Sequence, residues 1–188
     1  MHSGSESLIR EFVAAIGLTG ATVELVSRSP EALKHAVRRV LSGGIEVPSE
    51  SSGSALLAEP DDLPSELWDP LRNLEQVVDN PPDNQLRSAR VGITDAFAGV
   101  ARTGSVCVAV TAKLGGAVSL FPRSHIAVLE ARNIVSRPGD VFTAGQLENK
   151  GMKRSFVFIT GPSVTADMGE LVRGVHGPDH LHIIILEE

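Results

Sequence analysis

Four segments of this chain, "SVCVAV" (105–110), "HIAVLE" (125–130), "SFVFIT" (155–160) and "LHIIIL" (181–186), each carry at least four consecutive apolar residues. A strand with one wet face alternates apolar and polar positions, whereas an unbroken apolar strand needs cover on both faces. Shorter strand-like runs stand at "ATVELVS", "ALLA", "EQVVD" and "ARVGI". Helical periodicity separates several of them. Leu8, Phe12 and Ala15, with Ile9 and Ile16 beside them, share one face. Ser29 is placed to cap a second helix with Pro30 at its first position. Leu33, Ala36, Val37, Val40 and Leu41 form that helix's apolar stripe, and Gly43 and Gly44 close it. Further helical stretches are expected around Trp68, over 95–102, near 137–150 and over 164–173. Strands alternating with helices predict an α/β fold with a mostly parallel open sheet flanked by helices, and a ligand site past the carboxyl ends of its strands.

The remaining bulk properties narrow this further. At 188 residues the chain is expected to form one domain, 1–188. Six Phe, one Trp and no Tyr leave the core to Val, Leu, Ile and Ala, and a net charge of -6 argues against a phosphate-backbone partner. The single cysteine, Cys107, allows neither an internal disulfide nor a cluster held by several local thiolates. In an apolar run it reads as an inert buried residue. No continuous apolar stretch has signal-peptide or membrane-span length, so a soluble cytoplasmic protein is expected. Residues 43–71 hold seven acidic side chains, four prolines and no Lys or Arg. The segment reads as a solvated connection, with a lid or an acidic contact surface as the functional alternative.

Motifs that hold cofactors are missing: there is no G-x-G-x-x-G after a strand, no phosphate-binding G-x-x-x-x-G-K-[ST], no nucleophile elbow and no H-E-x-x-H. His176, His180 and His182 cluster near the end, but only Asp179 lies among them and His182 begins an apolar strand. Structural histidines are the expectation, and no metal site. The loops carry more. "ARTGSV" ends on Gly104 before a strand, "FPRSHI" sets His125 at a strand start, and "GVHGP" precedes the last strand. In "ITGPSVTAD", Gly161 permits a sharp turn, Ser163 or Thr165 can cap a helix, and Asp167 sits in its first turn. The same arrangement makes an anion cradle of free N–H groups, and the local sequence leaves both readings open.

Taken together, "GITDAFAGVARTGSVCV", "VSLFPRSHIAVLEARNIV" and "ITGPSVTADMGELVRGVHGPDHLHIIIL" resemble the lactate-utilisation protein C family and its LUD domain, over roughly residues 90–188. The resemblance implies a sheet of the type shared by sugar-phosphate isomerases and coenzyme A transferases. It also implies a part in oxidising L-lactate to pyruvate beside iron–sulfur partner proteins, with no cofactor in this chain. The family's Thr-Gly-Thr turn falls on Thr103, Gly104 and Ser105, its histidine on His125, and its Gly-Pro-Ser loop on Gly161, Pro162 and Ser163. Thr165, Asp167 and His176 match as well. Arg102 replaces a usual acidic residue, Gly169 a usual Glu, and Gly116 or Ala117 an expected arginine.

The functional expectation is an accessory component of lactate utilisation. Two alternatives stand beside it: a stand-alone enzyme or sensor for a small phosphorylated, carboxylate or acyl-coenzyme A ligand, and a protein-binding member using segment 43–71. A homodimer is the symmetric default. Geometrically, the loop 161–167 is expected at the carboxyl edge of the sheet, facing the turn 103–105 and His125 across one cleft.

Overall fold

The structure, a computed structural model, describes residues 2–43, 54–79, 86, 88–143, 155–165, 172–174 and 176–188. The N-terminal half follows the alternation of helix and strand periodicity: α1 (His2–Thr19), β1 (Thr22–Ser27), α2 (Pro30–Leu41), β2 (Ala55–Leu57), α3 (Ser65–Arg72) and β3 (Val77–Asp79). There follow β4 (Val91–Ala96), β5 (Ala98–Val100), β6 (Ser105–Val110), the short α4 (Gly115–Leu120), β7 (Ser124–Glu130) and β8 (Ile134–Val135). The chain ends through β9 (Ser155–Ile159), β10 (Val164–Thr165), β11 (Val172–Arg173) and β12 (His180–Glu187). Ser29 caps α2 as its position predicts, its Oγ accepting from the Ala32 N–H at 3.2 Å.

The main sheet has six parallel strands in the order β1-β12-β7-β4-β2-β3. Its central strands β12, β7 and β4 are the apolar runs, and successive residues point to opposite buried faces. On one face Val91, Ile93, Ile126, Val128 and Ile184 meet Leu33, Val37 and Val40 of α2 and Leu67, Trp68 and Leu71 of α3. On the other, Ala127, Leu129, Ile183 and Ile185 meet Phe12 and Ile16 of α1 together with Val106 and Val108 of β6. Helices α2 and α3 thus cover one side, and α1 with a second sheet covers the other. No described helix is long and apolar enough to cross a membrane.

Four expectations about elements are corrected. "SVCVAV" and "SFVFIT" are not parallel strands of the main sheet. They are β6 and β9 of a second four-stranded sheet, order β8-β5-β6-β9, in which β5–β6 and β6–β9 run antiparallel. An apolar run carries no strand direction, and β9 is only partly covered, with Phe158 40% exposed. Residues 95–102 are not a helix: β4 passes almost directly into β5, with the Phe97 N–H donating to the Cys107 carbonyl at 3.0 Å. All of residues 91–101 are buried, so tertiary cover overrides a weak helical pattern. The helix expected over 164–173 begins and ends in strand, since Val164 and Thr165 pair antiparallel with Arg173 and Val172. Near 137–150 only one 3₁₀ stretch, Pro138–Phe142, is formed among the described residues.

The acidic segment is structural in its described part. Residues 44–53 lie outside the described residues, but β2 and α3 carry Leu57 and Trp68 into the core, and the Trp68 indole donates to the Ala58 carbonyl at 2.9 Å. A removable lid would not bury its only tryptophan.

Candidate functional site

The carboxyl edge of the main sheet, where the parallel topology predicts a ligand, is taken up by the protein's own charges. Asp95, at the end of β4, accepts the backbone N–H groups of Asp61, Asp62 and Leu63 at 2.9, 2.7 and 3.1 Å, so it fixes the turn that leads into α3. Burial pushes its carboxyl up to about 6, against these three donors, which favour the charged form. Glu130, at the end of β7, is clamped by Arg28 at 2.6 Å and by Arg132 at 2.6 Å.

A cleft lies at the amino edge, before β7 and β12, and a smaller pocket of about 290 Å³ opens at the carboxyl edge beside Ala131, Arg132, Glu187 and Glu188. The volume of the amino-edge cleft is about 380 Å³, and residues 120–123 form one wall. Gly174, His176, Gly177 and Asp179 form the other. Backbone bonds tie these segments together: the Asp179 N–H donates to the Arg123 carbonyl at 2.9 Å, and the Ser163 N–H to the Pro178 carbonyl at 2.8 Å. The Gly174 N–H donates in turn to the Ser163 carbonyl at 2.9 Å. Arg123 Nη2 pairs with Asp179 Oδ2 at 2.7 Å, the arginine side chain 73% exposed and the aspartate side chain 10%.

The sequence-predicted residues divide among three places. Thr103, Gly104 and Ser105 do meet the Gly-Pro-Ser loop, through a chain of hydroxyls. Thr103 Oγ1 lies 2.7 Å from Ser105 Oγ, which lies 2.6 Å from Thr160 Oγ1. This junction is packed beneath the last turns of α1. Gly161 has φ +75°, and a Cβ on it would stand 2.7 Å from Thr19 Cβ. Pro162 is buried beside it. Ser163 and His176 belong to the amino-edge cleft, Ser163 standing behind Gly177 and His176 lining the wall.

His125 is in neither. It is 1% exposed inside the molecule, with Nε2 2.8 Å from Thr94 Oγ1, and burial lowers its pKa to about 3. The expectation that it faces a cleft is corrected: as the second residue of β7 it points, like Thr94, to the face covered by α1 and the second sheet. Thr165 lies in β10, and Asp167 lies outside the described residues, as does Gly169. The helix-start cradle does not form at Ser163, whose N–H is already given to Pro178. The loop's place at the carboxyl edge is likewise corrected, because Ser163 joins the chain entering β12, and a strand's entrance is its amino end. Gly116 and Ala117 lie in α4, which leads into the cleft wall.

Two further reactive groups, His182 and Cys107, are internal. His182 is held on both ring nitrogens, by Thr22 Oγ1 at 2.7 Å and Glu24 Oε1 at 3.1 Å, and burial lowers its pKa. Cys107 is buried and its thiol is pushed up to about 12 by desolvation, which leaves no thiolate near neutral pH. Arg123 and Asp179 carry the cleft's charges and were not singled out from sequence. The available signal was that both sit inside the quoted motif stretches, Arg123 two residues before His125 and Asp179 directly before His180.

With this geometry in place, comparison with known proteins becomes decisive. Residues 9–186 match the LUD domain family. The chain belongs to that family. Over 172 residues this LUD-domain protein is 29% identical to Lactate utilization protein C of Bacillus subtilis (strain 168), covering 84% of this chain and 68% of the relative. It is 31% identical over 129 residues to Uncharacterized protein YkgG of Escherichia coli (strain K12), covering 65% and 52%. The match to YkgG thus spans about half of that relative's length. Its fold is similar to that of a duf162 family protein from Deinococcus radiodurans, with a TM-score of 0.69 over 97% of this chain and 98% of the other, at 22% identity.

Proposed function

We propose that this LUD-domain protein is an accessory component of L-lactate utilisation, acting beside iron–sulfur proteins that carry the electrons. One observation supports it above the others. The two motif stretches that carry the family resemblance, around "SLFPRSH" and "GVHGPDH", form opposite walls of a single cleft. A cleft of about 380 Å³ is near the lower end of the ~300–1,000 Å³ usual for ligand sites, which suits a small organic acid better than a coenzyme A ester. The one cysteine is a buried thiol in β6, so this chain offers no set of thiolates for a cluster, and the redox centre belongs to partners.

The test is genetic. Deleting the gene from its host should slow growth on L-lactate as sole carbon source and leave growth on glucose unchanged, with recovery when the intact gene is returned. Unchanged growth on lactate would sink the proposal. A second reading, a stand-alone sensor or enzyme for a small carboxylate, is favoured by the built polar cleft. Purified protein oxidising lactate with an artificial electron acceptor, without partners, would establish it in place of the accessory role.

A further inference from the structure

Each of the two larger sheets has two edges, and three of these four are blunted. β8 is two residues long, β1 carries Glu24 paired with Arg39, and β3 ends on Asp79 paired with Arg72. The fourth edge is β9. Its residues, Ser155–Ile159 (SFVFI), hold no charge and no proline, and they pair with β6 one for one, without a bulge. No described strand lies on their other side. Exposed edges are ordinarily shortened, charged or bulged, because their free N–H and C=O groups are a template for another strand.

Which groups face the open side follows from the phase of the hydrogen bonds. The Cys107 carbonyl receives the Phe97 N–H, so Cys107 turns its backbone toward β5, and Val106 and Val108 turn theirs toward β9. Val106 and Val108 stand opposite Ile159 and Val157, which leaves Phe156 and Phe158 with N–H and C=O directed outward. Their rings share the sheet face away from α1, with centroids 5.5 Å apart, and Phe142 lies 5.6 Å from Phe156 and 6.4 Å from Phe158. Phe142 is 58% exposed and Phe158 40%. An open backbone edge and an uncovered aromatic patch therefore coincide on one strand.

We propose that β9 is a self-association edge, pairing antiparallel with β9 of a second copy about a twofold axis at Val157. The occupant is read from the strand itself. The run S-F-V-F-I is nearly palindromic about Val157, so its reversal sets Phe156 of each copy opposite Phe158 of the other. Both residues direct their backbone outward, so each pair exchanges two hydrogen bonds, as an antiparallel ladder requires. An axis on Phe156 or Phe158 would pair one of them with itself and carry the other past the end of the strand. The two four-stranded sheets then continue as one, with aromatic rings facing each other across the seam and Phe142 beside it. A strand from an unrelated protein would satisfy the backbone alone.

The experiment is sedimentation equilibrium of the full chain with residue-resolved amide hydrogen exchange, both across a concentration series. The mass should rise from 19.9 kDa toward about twice that value. As it rises, the amides of Phe156 and Phe158 should slow by at least about tenfold, whereas those of Val157 and Ile159, bonded to β6 in a single copy, should be slow at every concentration. Phe158→Lys, which sets a charge at the seam, should weaken association by at least about tenfold; association as tight as the parent's overturns the assignment. A dimer whose Phe156 and Phe158 amides stay fast forms through another surface and refutes the β9 pairing, with no variant needed. A chain still monomeric at about 1 mM refutes self-association and leaves the edge to a strand of another protein.

Discussion

Gly92 is the residue on which the cleft's inner wall depends, and replacing it with alanine gives a calculable outcome. It lies in β4, and α4 packs directly over it. A Cβ added there would collide with the Val118 carbonyl oxygen and stand 3.0 Å from Val118 C and 3.1 Å from Pro122 Cγ. The obstacle is helix backbone, so no side-chain rotation relieves it. Either α4 lifts from the sheet or β4 bends. Overpacking of this kind costs about 1–3 kcal/mol and more where backbone must move, while the alanine's lower unfolded-state entropy returns about 0.5 kcal/mol. A net loss of about 3 kcal/mol is expected, equivalent to roughly 6–12 °C in Tm for a domain of this size. Because α4 runs into residues 120–123, the same displacement should also disturb the cleft. The assay is urea unfolding followed by the fluorescence of Trp68, which is fully buried and the chain's only tryptophan. The control is Gly17→Ala in α1, where a Cβ meets nothing within 4 Å. That change should stabilise the protein by about 0.5–1 kcal/mol through helix propensity. If Gly92→Ala falls within about 0.5 kcal/mol of the parent, the close approach of α4 to β4 is not what holds this wall.

Three further outcomes follow from the buried polar groups. Asp95→Ala leaves the N–H groups of Asp61, Asp62 and Leu63 without their acceptor and should lower stability by about 3–5 kcal/mol, whereas Asp95→Asn, which retains a carbonyl, should lose much less, as read from chemical denaturation. His125 titrates at about 3 when folded and near 6.5 when unfolded, so its contribution is present above pH ~6.5 and is lost as pH falls toward 3. His125→Gln should therefore lose less stability than the parent between pH 7 and pH 4.5, by about 3 kcal/mol; the comparison of variant with parent cancels Asp95, whose raised pKa acts in the opposite sense. Thr94→Val removes the one hydrogen bond that the buried His125 ring makes among the described residues and should cost about 1–3 kcal/mol in the same assay, with a negligible loss showing that the ring needs no partner.

What the sequence determined by itself was whatever depends on local pattern. The Ser29 cap, the stripe from Leu33 to Val40, the strand at 55–57 and the fully apolar interior strands follow from spacing and side-chain type, and so does the α/β class. Two of the motif stretches supply the residues that line the amino-edge cleft, which is not the cleft expected between 161–167, 103–105 and His125. Strand direction did not follow, because "SVCVAV" would be equally apolar in a parallel or an antiparallel neighbour. The residues 95–102 misled for a related reason: Ala, Phe, Gly and Val serve a helix or a buried strand alike, and only cover from α1 and β6 chose. His125 looked like a site residue since it stands at a strand start, yet both faces of the main sheet are covered, so either orientation buries it. The cleft's polar pair, Arg123 with Asp179, is separated by 56 residues in sequence. Adjacent parallel strands β7 and β12 bring their entrances side by side. That neighbourhood is a property of strand order, and strand order is decided by the packing of the whole chain.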